Sequence, residues 1–385
     1  MDAKLLSDPG FWIDGRPLAP GGFPGGLPPL AELDGMVLFE SSGSSGPPKW
    51  LALTKEALLL SAAAVNAHLR VDGGSRWGLA LPWHHVGGFG VLARAFEAGC
   101  HCARLAGRWQ PAAFRAWLAQ QRVTHTSLVP AQVHDLVTAA LSAPPDLLAV
   151  VVGGGSLDAA TGQAARLLGW PLLASYGMTE AASQIATQGL ELLQEPFQPA
   201  PIEILPHWRT RLGGDDRLEI AGPALFAGSL APAGTAWRFH PRKDEWYPTA
   251  DRAALADGRL TPLGRLDALV KVLGELVDPQ RIEDELLESA PGRLRTGEFA
   301  VAAVPDERAG HRLVPVFANS VPPQTITDAL AAYHAQAPGF RRLQPPIRLP
   351  ALPRSPLGKI RRAELAAILA MVTSVPKSPP TRAEE

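Results

Sequence analysis

Four stretches of this 385-residue chain combine residue types that act on phosphates and ribose. The first is Ser41-Ser42-Gly43-Ser44-Ser45-Gly46-Pro47-Pro48-Lys49, which reads as a loop between a strand and a helix. Glycines let backbone N–H groups approach an anion, hydroxyls add donors, and a lysine adds a point charge. Taken alone the stretch also reads as a flexible linker, although a linker rarely ends in Pro-Pro-Lys and enters an apolar segment directly. It is not a Walker A loop, because Gly43 is followed by Gly46 and Lys49 by Trp50. A P-loop kinase or GTPase is therefore disfavoured. The second stretch, Ser175-Tyr176-Gly177-Met178-Thr179-Glu180, ends an apolar strand-like run. Ligands of open α/β sheets gather at such strand ends, where a ring can stack on a base and a glutamate can hold Mg²⁺. The third joins Thr249-Ala250-Asp251 to Gly264-Arg265-Leu266-Asp267 and Lys271, and offers an aspartate to ribose hydroxyls. The fourth, Pro353-Arg354-Ser355-Pro356-Leu357-Gly358-Lys359, frames a lysine with proline and glycine. Each of the last three, taken alone, also reads as ordinary turn or surface chemistry.

The elements that must position these residues alternate along the first half. Met36–Phe39 reads as a strand, and Thr54 as the cap of a helix reaching about Leu69, where Asp72-Gly73-Gly74 stops it. Strand-like and helical stretches then alternate through Leu79–Leu81, Val86–Ala98, Cys102–Leu105, Pro111–Gln121, Thr126–Val129, Pro130–Ala140, Leu147–Val152, Leu157–Leu168 and Leu172–Ser175. This spacing predicts an α/β fold with buried, mostly parallel strands. After about residue 200 shorter strand-like pieces predict added antiparallel structure: Ile202–Leu205, Arg217–Ala221 and Leu225–Phe226. A smaller unit begins near Gly264. It holds a strand-like Asp267–Leu276, a helix at Pro279–Ser289, strands at Ala300–Val304 and Leu313–Phe317, a helix at Ile326–Ala337 and the loop Pro350–Lys359. Residues 20–29 are a Gly/Pro loop, and the proline-rich tail from Val372 is expected to be disordered.

Composition narrows the classes. Lys and Arg number 36 against 37 Asp and Glu, a net charge of −1 that gives no support to a general nucleic-acid or anionic-membrane binder. The two cysteines, Cys100 and Cys102, are separated by one residue, too close for an easy disulfide and too few for a structural zinc site. They are expected in an apolar strand. No run reaches the length of a membrane span or a signal peptide, so the expected compartment is cytoplasmic. Gly153-Gly154-Gly155 follows a strand but lacks the Gly-x-Gly-x-x-Gly spacing of a dinucleotide fingerprint.

In their order and spacing the motifs resemble the acyl/aryl-CoA synthetase family of adenylate-forming (AMP-binding) enzymes, from about Leu38 to Arg362. SSGSSGPPKW resembles the family's phosphate loop, LPWHHVGG its substrate-side His motif, and SYGMTE its nucleotide and Mg²⁺ motif. TAD resembles its ribose-binding aspartate, GRLDALVKVLGELVDPQRIE its hinge, and LPRSPLGKIRR its catalytic-lysine loop. The resemblance implies a large domain of mixed sheets with flanking helices over residues 1–266. It also implies a small α+β domain over 267–371 on a hinge, ahead of a tail at 372–385. The large domain would be shortened, because only 40 residues precede the phosphate loop. Trp50 also stands where the family has a small glycine.

The implied reaction is adenylation of a carboxylate by ATP with Mg²⁺, then transfer of the acyl group to coenzyme A. By the same resemblance Ser42, Ser44, Ser45 and Lys49 would hold the β- and γ-phosphates, Thr179 would contact the phosphates, and Glu180 would ligate Mg²⁺. Tyr176 would pack on adenine, Asp251 and Arg265 would bind ribose, and Lys359 would bridge carboxylate and phosphate oxygens in the transition state. Asp267 would be the hinge that exchanges Lys359 for residues near Gly274 at the thiolation site.

Ala182-Ser183-Gln184 after SYGMTE, with Ser127–Gln132 and Gly153–Leu157, is most similar to the branch acting on o-succinylbenzoate in menaquinone biosynthesis. His85, Ser183 and the backbone around Gly154 are the expected acid-binding groups, although His84 and His85 also read as core or helix-start histidines. The alternatives are a ligase for another aryl or medium-chain acid, a domain loading a carrier protein, and an inactive nucleotide-binding relic. The partners expected are the small acid and CoA, with no nucleic acid and no membrane span, and a homodimer is permitted.

Overall fold

Ala149-Val150-Val151-Val152 has no polar side, the pattern of a strand covered on both faces. The computed structural model, which describes residues 8–41, 49–234, 236–306, 308–354 and 360–373, places it in the middle of a parallel sheet. The described residues form two compact units, one ending at Asp267 and one starting at Ala268.

The first unit opens with α1 (Pro9–Ile13), β1 (Met36–Ser41), β2 (Lys49–Thr54) and α2 (Lys55–His68). It continues with β3 (Arg76–Leu79), α3 (Val86–Glu97), β4 (His101–Arg104), α4 (Pro111–Gln121), β5 (His125–Leu128), α5 (Pro130–Thr138), β6 (Ala149–Val152), α6 (Ala159–Leu167), β7 (Leu172–Tyr176) and β8 (Ala186–Thr187). Then come β9 (Ile202–Glu203), β10 (Arg209–Leu212), β11 (Arg217–Ala221), β12 (Gly228–Ala233), β13 (Ala236–Pro241), β14 (Tyr247–Ala256) and β15 (Arg259–Arg265).

The central sheet has the order β4-β3-β5-β6-β7-β8, parallel from β4 to β7. Side chains alternate between its faces. Val151 and Leu173 pack with α2 and α3 through Leu58, Val65 and Phe89. Val150, Val152 and Leu172 pack with α4, α5 and α6 through Phe114, Leu118, Val133 and Ala165. This is the doubly covered α/β layer expected from the alternation. A second sheet, β10-β11-β14-β15-β9, is antiparallel throughout, as the shorter pieces after residue 200 indicated. Leu225–Phe226 is not a strand; the chain pairs only from Gly228 onward, in the sheet β1-β2-β12-β13. Cys102 lies in β4 with Cys100 two residues before it, and both are free thiols.

One placement corrects the sequence reading. The Gly/Ser loop does not lead into a helix: Lys49–Thr54 is a strand paired antiparallel with β1, so residues 42–48 connect a hairpin. The helix waits until Lys55, where the Thr54 hydroxyl caps it by accepting from Ala57 N at 3.0 Å. Trp50 belongs to the core of this sheet, buried against Phe23 with ring centroids 4.6 Å apart. That packing explains why a large residue is tolerated beside the loop.

The second unit contains β16 (Val270–Val272), β17 (Glu275–Val277), α7 (Pro279–Ser289), β18 (Phe299–Asp306), β19 (Gly310–Ala318), α8 (Pro323–Gln336), β20 (Ile347–Leu349) and α9 (Arg362–Thr373). Its sheet runs β17-β16-β19-β18, with β20 parallel on β19. Leu286 and Ile326 cover one face, and Leu365 and Leu369 the other. The expected single strand Asp267–Leu276 is two strands, because Leu273 and Gly274 both take positive φ (53° and 92°) and turn the chain into a hairpin. Helix α9 was not anticipated. The tail from residue 374 lies outside the described residues.

His207, between β9 and β10, has both ring nitrogens buried without a hydrogen-bond partner among the described residues. Burial pulls its pKa down from 6.5 to about 4. Between those values the unfolded chain binds the proton and the folded one does not, so stability falls as pH falls through that window. Calorimetry from pH 7 to 4.5 should show a declining thermal midpoint that His207→Leu flattens. The expected gain at pH 4.5 is about 1 kcal/mol, allowing for the ring's partial exposure. An unchanged slope would assign the loss to other groups.

Candidate active site

Strands β3, β5, β6 and β7 point the same way, so the loops that follow them leave one edge of the sheet. Those loops carry His85, Val129, Gly153–Gly155 and Gly177. This is the edge at which open α/β sheets take ligands. Gly177 must be glycine: a Cβ there would lie 1.6 Å from the carbonyl oxygen of Ser183. The chain returns so tightly because Thr179–Ala181 is a single 3₁₀ turn and Ala182 and Ser183 both take positive φ, at 50° and 101°. Strained backbone of this kind survives where surrounding contacts over-determine it. One such contact is the Ser61 hydroxyl, which donates to Ala182 O at 3.2 Å.

From this turn a chain of polar contacts crosses to the antiparallel sheet. Tyr176 donates its hydroxyl to Asp251 Oδ2 at 2.5 Å. Arg265, paired opposite Asp251 in the β14–β15 ladder, donates from Nη1 to Asp251 Oδ1 at 3.1 Å. Its Nε and Nη2 grip the Asp267 carboxylate at 2.8 and 2.7 Å. Burial raises the Tyr176 pKa, reinforced by the Asp251 charge, so the phenol stays a donor. The fork to Asp267 raises that of Arg265. A carboxylate and a guanidinium side by side form a donor–acceptor pair suited to vicinal hydroxyls. A cleft of about 370 Å³ opens beside them, lined by Arg217, Tyr247, Thr249, Leu266 and Asp267 among others.

Glu180 follows on the same turn. Its Oε1 accepts from the Tyr247 hydroxyl at 3.4 Å, and its carbonyl accepts from Phe226 N at 2.8 Å. Tyr247 packs edge-on against Phe226 and was not singled out in the sequence, where it reads only as part of the strand leading to Asp251. Among the described residues no three His, Cys, Asp or Glu side chains converge as a metal cluster. A hard cation here would take Glu180 as its protein ligand and complete its shell with phosphate oxygens and water, which is how Mg²⁺ is commonly held.

A second polar cluster is organised by a residue the sequence reading passed over. Arg94, on α3, is 2% exposed. Its guanidinium lies 5.2 Å over the Trp77 ring, and Nη1 donates to Ser127 Oγ at 3.3 Å. Among the described residues it has no carboxylate partner, and burial lowers its pKa to about 10, which still leaves it charged near neutrality. Ser183 is beside it: a Cβ placed on Gly90 would lie 3.1 Å from Arg94 Nη2 and 3.6 Å from Ser183 Oγ. The signal was one charge inside the otherwise uncharged first ten residues of the helix, Val-Gly-Gly-Phe-Gly-Val-Leu-Ala-Arg-Ala.

His85 stands at the N-cap of α3, its ring 4.5 Å from that of His84. Gly154 takes φ +80° in the exposed loop after β6, and a Cβ on Gly153 would lie 3.5 Å from Ser175 O. Lys49 opens β2 with its side chain exposed, in a different sheet from Tyr176. Gly274 lies in the second unit. Ser42, Ser44, Ser45 and Lys359 lie outside the described residues.

The chain is 32% identical over 346 residues to a probable 2-succinylbenzoate–CoA ligase of Mycobacterium tuberculosis, covering 86% of this chain and 84% of the relative. It is 30% identical over 282 residues to the 2-succinylbenzoate–CoA ligase of Escherichia coli, covering 72% of this chain and 57% of that protein. Its fold is similar to that of the Bacillus subtilis o-succinylbenzoate CoA synthetase solved with its acyl-adenylate intermediate. There the TM-score is 0.71 at 23% identity, over 86% of this chain and 68% of that one. The profile of the AMP-binding enzyme family matches residues 19–213, and this chain belongs to that family.

Proposed function

We propose that this protein is an ATP-dependent acid–CoA ligase whose acid is o-succinylbenzoate, a step of menaquinone biosynthesis. In the first half-reaction a carboxylate oxygen of the acid bonds to the α-phosphorus of ATP and the bond to pyrophosphate breaks, leaving an acyl-adenylate. In the second the CoA thiolate bonds to the acyl carbon and AMP leaves. The observation that carries the nucleotide half is the Tyr176–Asp251–Arg265 constellation at the exit of β7. Tyr176 would flank adenine, and Asp251 and Arg265 would exchange part of their mutual contact for the ribose hydroxyls. Lys49 with Ser42, Ser44 and Ser45 would hold the outer phosphates, and Thr179 would donate to the phosphate that is attacked. Mg²⁺ on Glu180 would neutralise phosphate charge as the carboxylate approaches. Lys359 would place a positive charge between the attacking carboxylate and the phosphate, where charge builds in the transition state.

The acid is argued from Arg94. A buried guanidinium with no carboxylate partner among the described residues invites one from the ligand, because burying a charge unpaired is costly. o-Succinylbenzoate supplies it: one carboxylate reacts and the other, on the ring, is left to bind. Arg94 with Ser183 and Ser127 would take that second carboxylate, with His85 and the Gly154 loop lining the remainder. We assign the hinge to Asp267, between a large domain at 1–266 and a small one at 267–371, with Gly274 brought to the thiolation site after adenylation. Acid, ATP and CoA are all bound by one chain in this reading, so a homodimer is not required for chemistry. No helix among the described residues is long and apolar enough to cross a membrane. The free cysteines suit a reducing, cytoplasmic compartment.

Acid-dependent ATP–pyrophosphate exchange should proceed with o-succinylbenzoate, and Lys359→Ala should lower it by about 100-fold or more while ATP affinity stays within about threefold. Equal exchange in that variant would remove the role given to Lys359; no exchange with any acid would favour an inactive nucleotide binder.

The Arg94 assignment is tested with 3-benzoylpropionate, which keeps the reacting chain and lacks the ring carboxylate. Arg94→Met should raise KM for o-succinylbenzoate by about 10- to 100-fold, the loss of a charge-assisted pair, and leave 3-benzoylpropionate nearly unaffected. An equal change for both acids would make Arg94 a packing residue.

A further inference from the structure

Helix α2 packs on the apolar core through Leu58, Ala62 and Val65, yet it also turns polar side chains inward. Two of them, Ser61 and Asn66, are each 3% exposed. Ser61 donates its hydroxyl to Ala182 O at 3.2 Å, in the positive-φ turn that leads into Ser183. Asn66 Nδ2 donates to Arg94 O at 2.8 Å and to Glu97 Oε2 at 2.6 Å, both on α3. One helix thus holds the backbone beside Ser183 and the backbone of Arg94 itself. The space between those two side chains is kept by Gly90, about one turn before Arg94 on α3. A Cβ there would lie 3.1 Å from Arg94 Nη2 and 3.6 Å from Ser183 Oγ. Helical side chains lean toward the N-terminus, which is why the guanidinium lies over residue 90.

Packing alone is a poor account of these three residues. Arg94 O already accepts from Ala98 N at 3.0 Å within its own helix, so it is satisfied without Asn66. The amide in turn leaves its Oδ1 buried without a partner among the described residues, a cost that a leucine of similar size would not carry. Turning the amide over would set its oxygen against the Arg94 carbonyl and the Glu97 carboxylate, so those neighbours fix its direction. Glycine is likewise a poor choice for the interior of a helix. What the three residues share is the placement of Arg94 and Ser183. Apolar contacts let packed elements slide slightly, whereas a directed bond to one particular carbonyl sets their register.

We infer that Ser61, Asn66 and Gly90 are positioning residues that set the distance between Arg94 and Ser183, and through it the preference for an acid carrying a second carboxylate. This rests on the role proposed above for Arg94. None of the three touches substrate in this account. A spectator carboxylate is bound alike before and during the reaction, so a misplaced guanidinium should raise KM and leave kcat.

The test compares Asn66→Leu, Ser61→Ala, Gly90→Ala and Arg94→Met in the whole chain, by ATP–pyrophosphate exchange with o-succinylbenzoate and with 3-benzoylpropionate. Asn66→Leu and Gly90→Ala should raise KM for o-succinylbenzoate by about 3- to 30-fold, part of what outright loss of the charge-assisted pair would cost. Ser61→Ala, which removes one neutral hydrogen bond, should raise it by about 3- to 10-fold. The kcat with either acid, the KM for 3-benzoylpropionate and the KM for ATP should stay within about threefold. Gly90→Ala decides the matter if Asn66→Leu does not fold, because alanine is the better helix former. Adding Gly90→Ala to Arg94→Met should raise KM no further, since the guanidinium that needs the space is gone. The inference is overturned by a wild-type ratio of the two acids' KM values in the Asn66, Ser61 and Gly90 variants, or by equal rises for both acids, which would make these residues packing groups. A loss confined to kcat, or additive rises in the double variant, would overturn it as well. If Arg94→Met leaves the ratio unchanged, or the wild type shows no exchange with o-succinylbenzoate, the role of Arg94 has failed and this inference with it. If Arg94→Met shifts the ratio and the other three variants do not, this inference alone has failed.

Discussion

The Asp251 carboxylate is the point on which the site depends. It accepts from Tyr176 at the exit of a parallel strand and from Arg265 on the neighbouring strand of an antiparallel sheet. Two sheets with separate hydrogen-bond ladders are thereby joined at the edge where a nucleotide would bind. The phenol of Tyr176 is partly buried, and a hydroxyl shielded from water without an acceptor costs up to about 1–3 kcal/mol. Asp251 removes that cost and fixes the ring's direction. The tight return from Gly177 to Ser183 then sets where Glu180 emerges, since no bulkier residue at 177 would let the chain close.

The cations on the two sides of the site are in opposite electrostatic states. Arg265 is saturated, bonded to Asp251 and to both oxygens of Asp267. Arg94 is buried with a serine hydroxyl and an indole face for company. Every group of that cluster thus has a partner within the fold, and in the proposed reading a ribose would share contacts that already exist. Among the described residues Arg94 has no carboxylate beside it. A ligand with a spectator carboxylate gains most from such a site, because its charge repairs a deficit already built into the fold.

Charge plays a different part in the second unit. Its sheet and helices are held by two apolar layers, and the Glu283–Arg362 pair contributes direction where those layers supply only cohesion. The hairpin at Leu273-Gly274 is set by backbone conformation instead: nothing would touch a Cβ on Gly274, so positive φ alone accounts for the glycine there. Large apolar residues on that hairpin, Leu273 and Leu276, remain exposed.

Local chemistry was readable without coordinates. Apolar runs such as Ala149–Val152, the Thr54 cap and the ordered phosphate and ribose motifs follow from residue types within a few positions of each other, which is the range over which periodicity, caps and turns act. The direction of the chain after the Gly/Ser loop was not readable, because Lys49–Thr54 is a strand only by virtue of pairing with β1 and β12. Arg94 and Tyr247 were missed for the same kind of reason. Each has unremarkable neighbours in sequence, and its partners lie far along the chain: Ser127 for one, Glu180 for the other. The sequence therefore specified the family chemistry and most of the elements. Which side chains share a cavity, and which buried guanidinium has no carboxylate beside it among the described residues, depended on contacts between distant segments, and those exist only once the sheets have packed.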